Sequence, residues 1–179
     1  MILVINGTNR QDNKTQVISN FVFEYLRQNA GEEVQYFSLQ NLPSTIKIAE
    51  MYSSGTQDPT IKEIQKELLI PSKRWILVSP EYNGSYPGIL KLFIDALSVN
   101  EISATFYHKK IGLIGVSDGR AGNIRGMDHL AAMFNYLKMT VYHNKLPISS
   151  VKSQLSEKEL LKPTADTLKA YLDDYLAWL

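Results

Sequence analysis

The residues best suited to chemistry stand in three polar loops, and the first loop spans residues 7–15. It contains hydroxyl, amide and cationic side chains at Thr8, Arg10, Asn13, Lys14 and Thr15. Such groups at the start of a helix suit a phosphate dianion, because a helix N-terminus presents unpaired N–H groups and the positive end of its dipole. Arginine can also bind phosphate oxygens through two parallel hydrogen bonds. The alternative is a polar connection in which a threonine or asparagine caps the helix.

Lys14 and Thr15 follow a glycine, as the corresponding residues of a Walker A loop do. That motif requires a glycine directly before the lysine and four residues between its two glycines. Asn13 precedes Lys14, and one extra residue intervenes. The spacing therefore argues against nucleotide hydrolysis.

The second loop spans residues 79–88, and its two prolines and two glycines restrict its shape. A flat heteroaromatic ligand needs backbone N–H and C=O groups for its polar edge and an aromatic or apolar surface to lie on. The candidate residues for such contacts are Pro80, Glu81, Tyr82, Asn83 and Gly84. The alternative is a rigid turn that exposes Glu81.

The third loop begins at Ser117 and continues through Asp118, Gly119 and Arg120 to residue 123. Its glycines allow the backbone to approach a ligand closely. Taken alone, the same residues also fit a plain strand-to-helix turn capped by Asp118 or Asn123.

Each of these loops follows a short apolar run that predicts a buried strand, and each precedes a stretch with helical periodicity. The predicted strands cover residues 1–5, 34–39, 75–79, 111–116 and 139–142. The predicted helices begin near residues 15, 59, 87, 127 and 161. Residues 41–58 are left without an assignment.

This alternation predicts an α/β fold, a doubly wound five-stranded parallel sheet with helices on both faces. Right-handed crossovers favour the strand order 2-1-3-4-5, in which ligands bind outside the carboxyl ends of the strands. The three polar loops then converge on one edge of the sheet. We find no linker or repeat, and residues 1–179 are expected to form a single domain.

Composition excludes several other classes of function. The formal net charge of +1 gives no concentrated basic field for nucleic acid or a membrane surface. The absence of cysteine excludes disulfides, thiolate metal sites and cysteine nucleophiles, and the histidines lack metal-ligand spacing. The N-terminus has no basic leader, and no apolar run approaches a membrane span, so we expect a cytoplasmic protein.

The chain resembles the NADPH-dependent FMN reductase family, which includes quinone, chromate and azo-dye reductases. The similarity covers roughly residues 1–145, and its most specific segments are residues 80–85, 87–91 and 94–95. The resemblance implies that the FMN phosphate lies at Gly7, Thr8, Arg10, Asn13 and Thr15, with residues 80–84 along the isoalloxazine ring. It further implies that Ser117, Gly119, Arg120 and Gly122 approach the flavin. The chain departs from the family pattern at Leu92, Ala96 and Asn123.

The resemblance implies a flavodoxin-like fold and an enzyme that passes electrons from NADPH or NADH through FMN to a small acceptor. The acceptor class stays open among flavins, quinones, azo compounds and metal oxyanions, and ping-pong kinetics are expected. Because the cofactor supplies the chemistry, we expect no catalytic acid–base side chain, while Arg120 is expected to favour the anionic reduced flavin. The apolar helices after the second and third loops suggest a homodimer or homotetramer.

Three other functions compete with this interpretation. Residues 115–119 satisfy the G-x-S-x-G pattern of serine hydrolases, with Ser117 as nucleophile and Asp128 with His129 or His143 as partners. That hypothesis leaves the first two loops unexplained. A flavodoxin-type electron carrier is usually strongly acidic, which the charge of +1 disfavours. A flavodoxin-like binding module without a cofactor is the third alternative.

Overall fold

Six parallel-paired strands form the main sheet, and a computed structural model describes residues 1–43, 51–53, 57–157 and 159–178 of the chain. The strands of this sheet are β1 (Ile2–Asn6), β2 (Val34–Ser38), β3 (Arg74–Pro80), β4 (Lys110–Val116), β5 (Thr140–Val141) and β6 (Leu146–Ile148). The helices are α1 (Lys14–Asn29), α2 (Pro59–Ile64), α3 (Gly88–Ser98), α4 (Ile102–Phe106), α5 (Ile124–Tyr136) and α6 (Lys162–Ala177). Most of residues 41–58, which the sequence leaves unassigned, lie outside the described residues.

The strand order is β2-β1-β3-β4-β5, which confirms the predicted order of the flavodoxin-like sheet. In the parallel register Asn6 pairs with Val78, and Pro80 pairs with Val116. The carboxyl ends of β1, β3 and β4 therefore lie side by side, so the loops that follow them start from one edge.

Side chains of the strands alternate between two apolar cores, one on each face of the sheet. Ile2 and Val4 pack with residues of α1 and α6, whereas Leu3 and Ile5 pack with residues of α2, α3 and α5. Burial on both faces explains why β1 is an unbroken apolar run and not an alternating one. Among the described residues, no helix is long and apolar enough to cross a membrane.

The fifth strand position differs from the prediction, because two short strands share it. β5 pairs with Lys110 and Ile111 at the amino end of β4, and β6 pairs with residues 114–116 at its carboxyl end. The ring of Tyr142, just after β5, lies against Tyr175 at 5.5 Å between ring centroids. The last residue of β6 contacts the third loop, because the Ser117 amide donates to the Ile148 carbonyl at 3.0 Å.

Further elements without a counterpart in the prediction are short. They are α4, 3₁₀ helices at Leu39–Asn41 and Val151–Gln154, a π-helical turn at Gln65–Leu69 after α2, and an antiparallel hairpin of β7 (Leu155–Ser156) and β8 (Glu159–Leu160). Segments of two to five residues are too short to produce a clear period in the sequence.

Lys109 is a buried cation at the amino end of β4, only 8% exposed. Its Nζ donates to the carbonyl oxygens of Leu69 at 2.6 Å and Ile70 at 2.9 Å. These hydrogen bonds satisfy carbonyls at the end of the π-helical turn. Burial lowers the pKa of Lys109 to about 8, because the charged form loses its hydration.

This lowered pKa predicts a pH-dependent contribution to stability. Between a folded pKa of about 8 and the ordinary value of 10.5, the unfolded chain binds more protons than the folded chain. The contribution of Lys109 to the free energy of unfolding therefore rises with pH across that window. Urea unfolding at several pH values should show that the free energy of unfolding of the wild type increases relative to that of Lys109→Met as the pH rises.

The matched control for this experiment is Lys73→Met, which removes an exposed lysine next to β3. The difference in free energy of unfolding between Lys73→Met and the wild type should change less across the same pH window. A Lys109→Met difference that stays constant with pH would contradict the burial argument.

Candidate functional site

The three polar loops surround a cavity of about 260 Å³ at the carboxyl edge of the sheet. Nine of the residues singled out in the sequence line it: Arg10, Asn13, Lys14, Thr15, Pro80, Glu81, Tyr82, Ser117 and Asp118. Four further lining residues have no counterpart in the sequence-based prediction: Asp12, Val116, Val151 and Lys152. The remaining candidates support the cavity from behind or lie apart from it, as described below.

The first loop leaves β1 where the backbone of β3 is very close. The Gly7 amide donates to the Val78 carbonyl at 2.8 Å, and a Cβ at Gly7 would lie only 3.0 Å from the same oxygen. The next side chain, Thr8, is fully buried, and its hydroxyl lies 2.8 Å from the Tyr82 hydroxyl. Thr8 thus ties the first loop to the second and does not line the cavity.

Asn13 caps α1, as the simpler interpretation of this loop expects. Its Oδ1 accepts a hydrogen bond from the Gln16 amide at 2.7 Å, and its Nδ2 donates to the Arg10 carbonyl at 2.7 Å. The same side chain also lines the cavity. The cap therefore fixes the point at which α1, a helix of 16 residues, begins beside the cavity.

The second loop folds back on itself in a tight turn. Tyr82 and Ser85 exchange backbone hydrogen bonds of 2.8 and 3.0 Å. Between them Asn83 and Gly84 both have positive φ angles, 52° and 76°, which is the pattern of a type I′ turn. Asn83 and Gly84 therefore set the shape of the loop and do not line the cavity.

The hydroxyl of Ser117 is occupied within the third loop. It donates to the Gly119 carbonyl at 2.9 Å and accepts from the Gly122 amide at 3.0 Å. His129, one partner considered for a hydrolase, instead places its Nδ1 2.9 Å from the Ser85 hydroxyl. The described contacts thus do not assemble a serine–histidine pair at Ser117.

Asn123 joins the second and third loops. Its Nδ2 donates to the carbonyl oxygens of Ser79 and Pro80, both at 3.0 Å, and its backbone amide donates to Glu81 Oε2 at 3.2 Å. Its φ of 62° lies in the left-handed region, where asparagine is tolerated better than most residues. Sequence reasoning considered Asn123 as a helix cap and as a departure from the family pattern. It does precede α5, but its side chain makes no cap hydrogen bond and lies fully buried between two loops.

Charged side chains of both signs line the cavity, three cations and three carboxylates. Arg10, Lys14 and Lys152 all line it, and both lysines face Asp118. The Nζ of Lys14 lies 3.6 Å from one carboxylate oxygen of Asp118, and that of Lys152 lies 3.2 Å from the other. Asp118 therefore holds two lysines beside the start of α1, and this combination suits an anion.

Lys152 comes from the 3₁₀ helix after β6. The Val151 amide donates to the Ser117 carbonyl at 2.9 Å, and this contact places the helix against the third loop. No motif in the sequence marks Lys152, because its position depends on the split of the fifth strand. Its only signal is a lysine soon after an apolar strand segment.

Two candidates of the third loop lie outside the cavity lining. Arg120 is exposed, and Gly119 acts through its carbonyl oxygen, which accepts from Ser117 and from the Ser150 amide at 2.8 Å. In the described part of the chain, no group of three or more histidine or carboxylate side chains could hold a metal ion.

We expect Asn123→Ala to destabilise the fold by about 2–4 kcal/mol. It removes hydrogen bonds to two buried carbonyl oxygens, which costs about 1–3 kcal/mol, and forces alanine into a left-handed conformation at about 1 kcal/mol. Asn123→Gly removes the hydrogen bonds alone and should cost less. Urea unfolding measures both, and Asn135→Ala, at an exposed position of α5, is the control. Equal stability of Asn123→Ala and wild type would contradict this role.

Comparison with known proteins finds relatives that are described as reductases. Residues 1–152 match the family described as NADPH-dependent FMN reductase. An NADPH azoreductase from Bacillus sp. (strain OY1-2) is 26% identical over 185 residues, which cover 97% of this chain and 93% of the relative. A 2-hydroxy-1,4-benzoquinone reductase from Burkholderia sp is 27% identical over 129 residues, 68% of each chain.

Solved structures show the same fold. The flavoenzyme NAD(P)H:(acceptor) oxidoreductase FerB from Paracoccus denitrificans superimposes with a TM-score of 0.77 at 18% identity, over 99% of this chain and 95% of that chain. A flavodoxin from the domain Archaea superimposes with a TM-score of 0.58 at 11% identity, over 99% and 97% of the two chains. Together with the match over residues 1–152, these likenesses show that the chain belongs to the NADPH-dependent FMN reductase family, flavodoxin-like oxidoreductases that use FMN and NAD(P)H.

Proposed function

We propose that this chain binds one FMN at the 260 Å³ cavity and passes electrons from NADPH or NADH to a small acceptor. The observation that carries the proposal is the convergence of three cationic side chains and the N-terminus of α1 at the carboxyl edge of the sheet. Open α/β sheets bind their ligands at this edge. When bound, FMN supplies the redox chemistry, since it accepts hydride from the nicotinamide and returns electrons to the acceptor.

The phosphate of FMN would be held by Arg10, Lys14 and Lys152 together with Thr15 at the start of α1. A cavity of about 260 Å³ is small beside the ~300–1,000 Å³ of typical ligand pockets. It therefore suits the phosphate end of the cofactor, and the larger ring would extend over its rim. Asn13 would contribute by fixing the helix start, since its side chain already hydrogen-bonds to the Arg10 carbonyl and the Gln16 amide.

The flat ring would lie against the second and third loops. Pro80, Glu81 and Tyr82 would line one side, and the turn at Asn83 and Gly84 would keep that side rigid. Ser117, Asp118, Gly119 and Arg120 would form the other side, where Arg120 would act from an exposed position. The hydrogen bonds of Thr8 to Tyr82 and of Asn123 to Glu81 would hold these loops at a fixed separation before the cofactor arrives.

The acceptor is most readily placed among quinones and azo compounds, because the relatives are named as reductases of these compounds. A hydrolase at Ser117 has less support, since that hydroxyl is engaged by Gly119 and Gly122. A homodimer or homotetramer is supported by Ile124 and Tyr136 of α5, which are 42% and 85% exposed. Light scattering tests the oligomeric state, and cell fractionation tests the cytoplasmic location expected from the sequence.

Arg10→Ala tests the phosphate position. Loss of a hydrogen bond to a charged group costs about 1.5–3 kcal/mol, so the variant should bind FMN about 10- to 100-fold more weakly. Riboflavin lacks the phosphate, and its affinity should stay unchanged. Flavin fluorescence during titration measures both affinities.

The matched control is Arg27→Ala, which removes an exposed arginine paired with Glu24 at 2.7 Å in the last turn of α1. This variant should bind FMN as wild type does. Equal losses of FMN and riboflavin affinity in Arg10→Ala would contradict a phosphate contact.

Steady-state kinetics test the electron transfer. If NADPH and a quinone use the same exposed cofactor face in turn, double-reciprocal plots should give parallel lines, the pattern of ping-pong kinetics. The measurement follows NADPH oxidation at several fixed quinone concentrations. Intersecting lines would contradict the shared face, and ester hydrolysis abolished by Ser117→Ala without flavin uptake would support the hydrolase instead.

A further inference from the structure

A second cavity, of about 1020 Å³, opens beside the first. We call it the α1 groove, because one wall is α1 and the other is formed by the 3₁₀ helix and the β7–β8 hairpin. Its apolar walls are Val17 and Phe21 on α1 and Leu155 and Leu160 on the hairpin. Its volume reaches the upper end of the ~300–1,000 Å³ found for small-molecule sites.

The α1 groove is continuous with the cavity proposed for the flavin phosphate. Both cavities are lined by Asp12, Asn13, Lys14 and Lys152. A molecule bound in the smaller cavity can therefore extend into the groove without leaving the protein surface. The two lysines stand at the junction, where they face both spaces.

The direction of the groove follows from helix geometry. Lys14, Val17, Phe21 and Glu24 are spaced three to four residues apart and so share one face of α1. At ~1.5 Å per residue, Glu24, which lies ten positions after Lys14, stands roughly 15 Å from the junction along α1.

Charge gives the groove a polarity. Lys14 and Lys152 stand at the junction together with Asp12, whereas Glu24 lies about three turns further along α1. Glu157 and Glu159 also line the groove. The Glu24 carboxylate is paired with Arg27 at 2.7 Å. An anionic group is therefore favoured at the junction, and hydrogen-bond donors such as hydroxyl or amino groups are favoured at the far end.

We propose that the α1 groove holds the adenosine monophosphate half of FAD, so that this chain binds FAD as well as FMN. The inference rests on the proposed position of the flavin phosphate. In FAD the second phosphate is joined directly to the first, so the adenylate must leave through the junction, beside Lys14 and Lys152. The ribose connects the phosphate to the adenine and would therefore lie nearer the junction, while the adenine would lie against Val17 and Phe21. The Glu24 carboxylate, further along α1, would accept a hydrogen bond from the adenine amino group.

Titration of the purified apoprotein with FAD and FMN tests this proposal. We expect FAD to bind at least as tightly as FMN. Val17→Glu places a charge in the groove, and Phe21→Ala removes an apolar wall; each should weaken FAD about tenfold or more. Neither should alter FMN affinity by more than about twofold, because both positions lie outside the phosphate cavity.

Phe23→Ala is the matched control. Phe23 is a partly buried phenylalanine of the same helix that packs on Tyr36, with ring centroids 5.7 Å apart, and does not line the groove. The Phe23→Ala variant should bind both flavins as wild type does. This result would separate the loss of groove contacts from a general destabilisation of α1.

The outcomes separate this proposal from the function on which it rests. Failure to bind either flavin would overturn the proposed function itself. Normal FMN binding with FAD rejected, or FAD binding that Val17→Glu leaves unchanged, would overturn the groove assignment alone. A raised KM for NADPH in Val17→Glu, with FAD affinity unchanged, would assign the groove to the nicotinamide nucleotide and also overturn the proposal.

Discussion

The parallel register of β1, β3 and β4 brings the three polar loops to one edge of the sheet. Asn6 lies opposite Val78, two residues before the end of β3, and Pro80 lies opposite Val116 at the end of β4, so the chain leaves all three strands over one edge. At Gly7 this arrangement leaves little space between β1 and β3, since a Cβ there would lie 3.0 Å from the Val78 carbonyl. A side chain at that position would require the backbone there to give by a few tenths of an ångström.

The loops are also connected to one another, independently of the sheet. The hydroxyls of Thr8 and Tyr82 lie 2.8 Å apart, and the Asn123 amide donates to Glu81 at 3.2 Å. Because these contacts involve residues far apart in the sequence, they fix the width of the cavity and not only the shape of each loop. A site held in this way needs little rearrangement to receive a ligand, which lowers the entropic cost of binding.

Sequence reasoning could predict the sheet order, because buried parallel strands are continuous apolar runs and each polar loop directly follows one. It also found most of the cavity lining, since Arg10, Lys14 and Tyr82 stand in loops next to strand ends. It could not find Lys152, whose position depends on a three-residue strand, nor distinguish side chains that line the cavity from those that support it, such as Thr8. That distinction depends on contacts between loops, which leave no periodic signal in the sequence.

The central claim is that Arg10, Lys14, Lys152 and the start of α1 form one anion site for the phosphate of a flavin. A crystal structure of the protein with FMN tests it most directly. The account predicts phosphate oxygens within hydrogen-bonding distance of these side chains, with the ring beside Tyr82. Well-ordered FMN whose phosphate lies elsewhere, or whose ring lies away from the second loop, would contradict it.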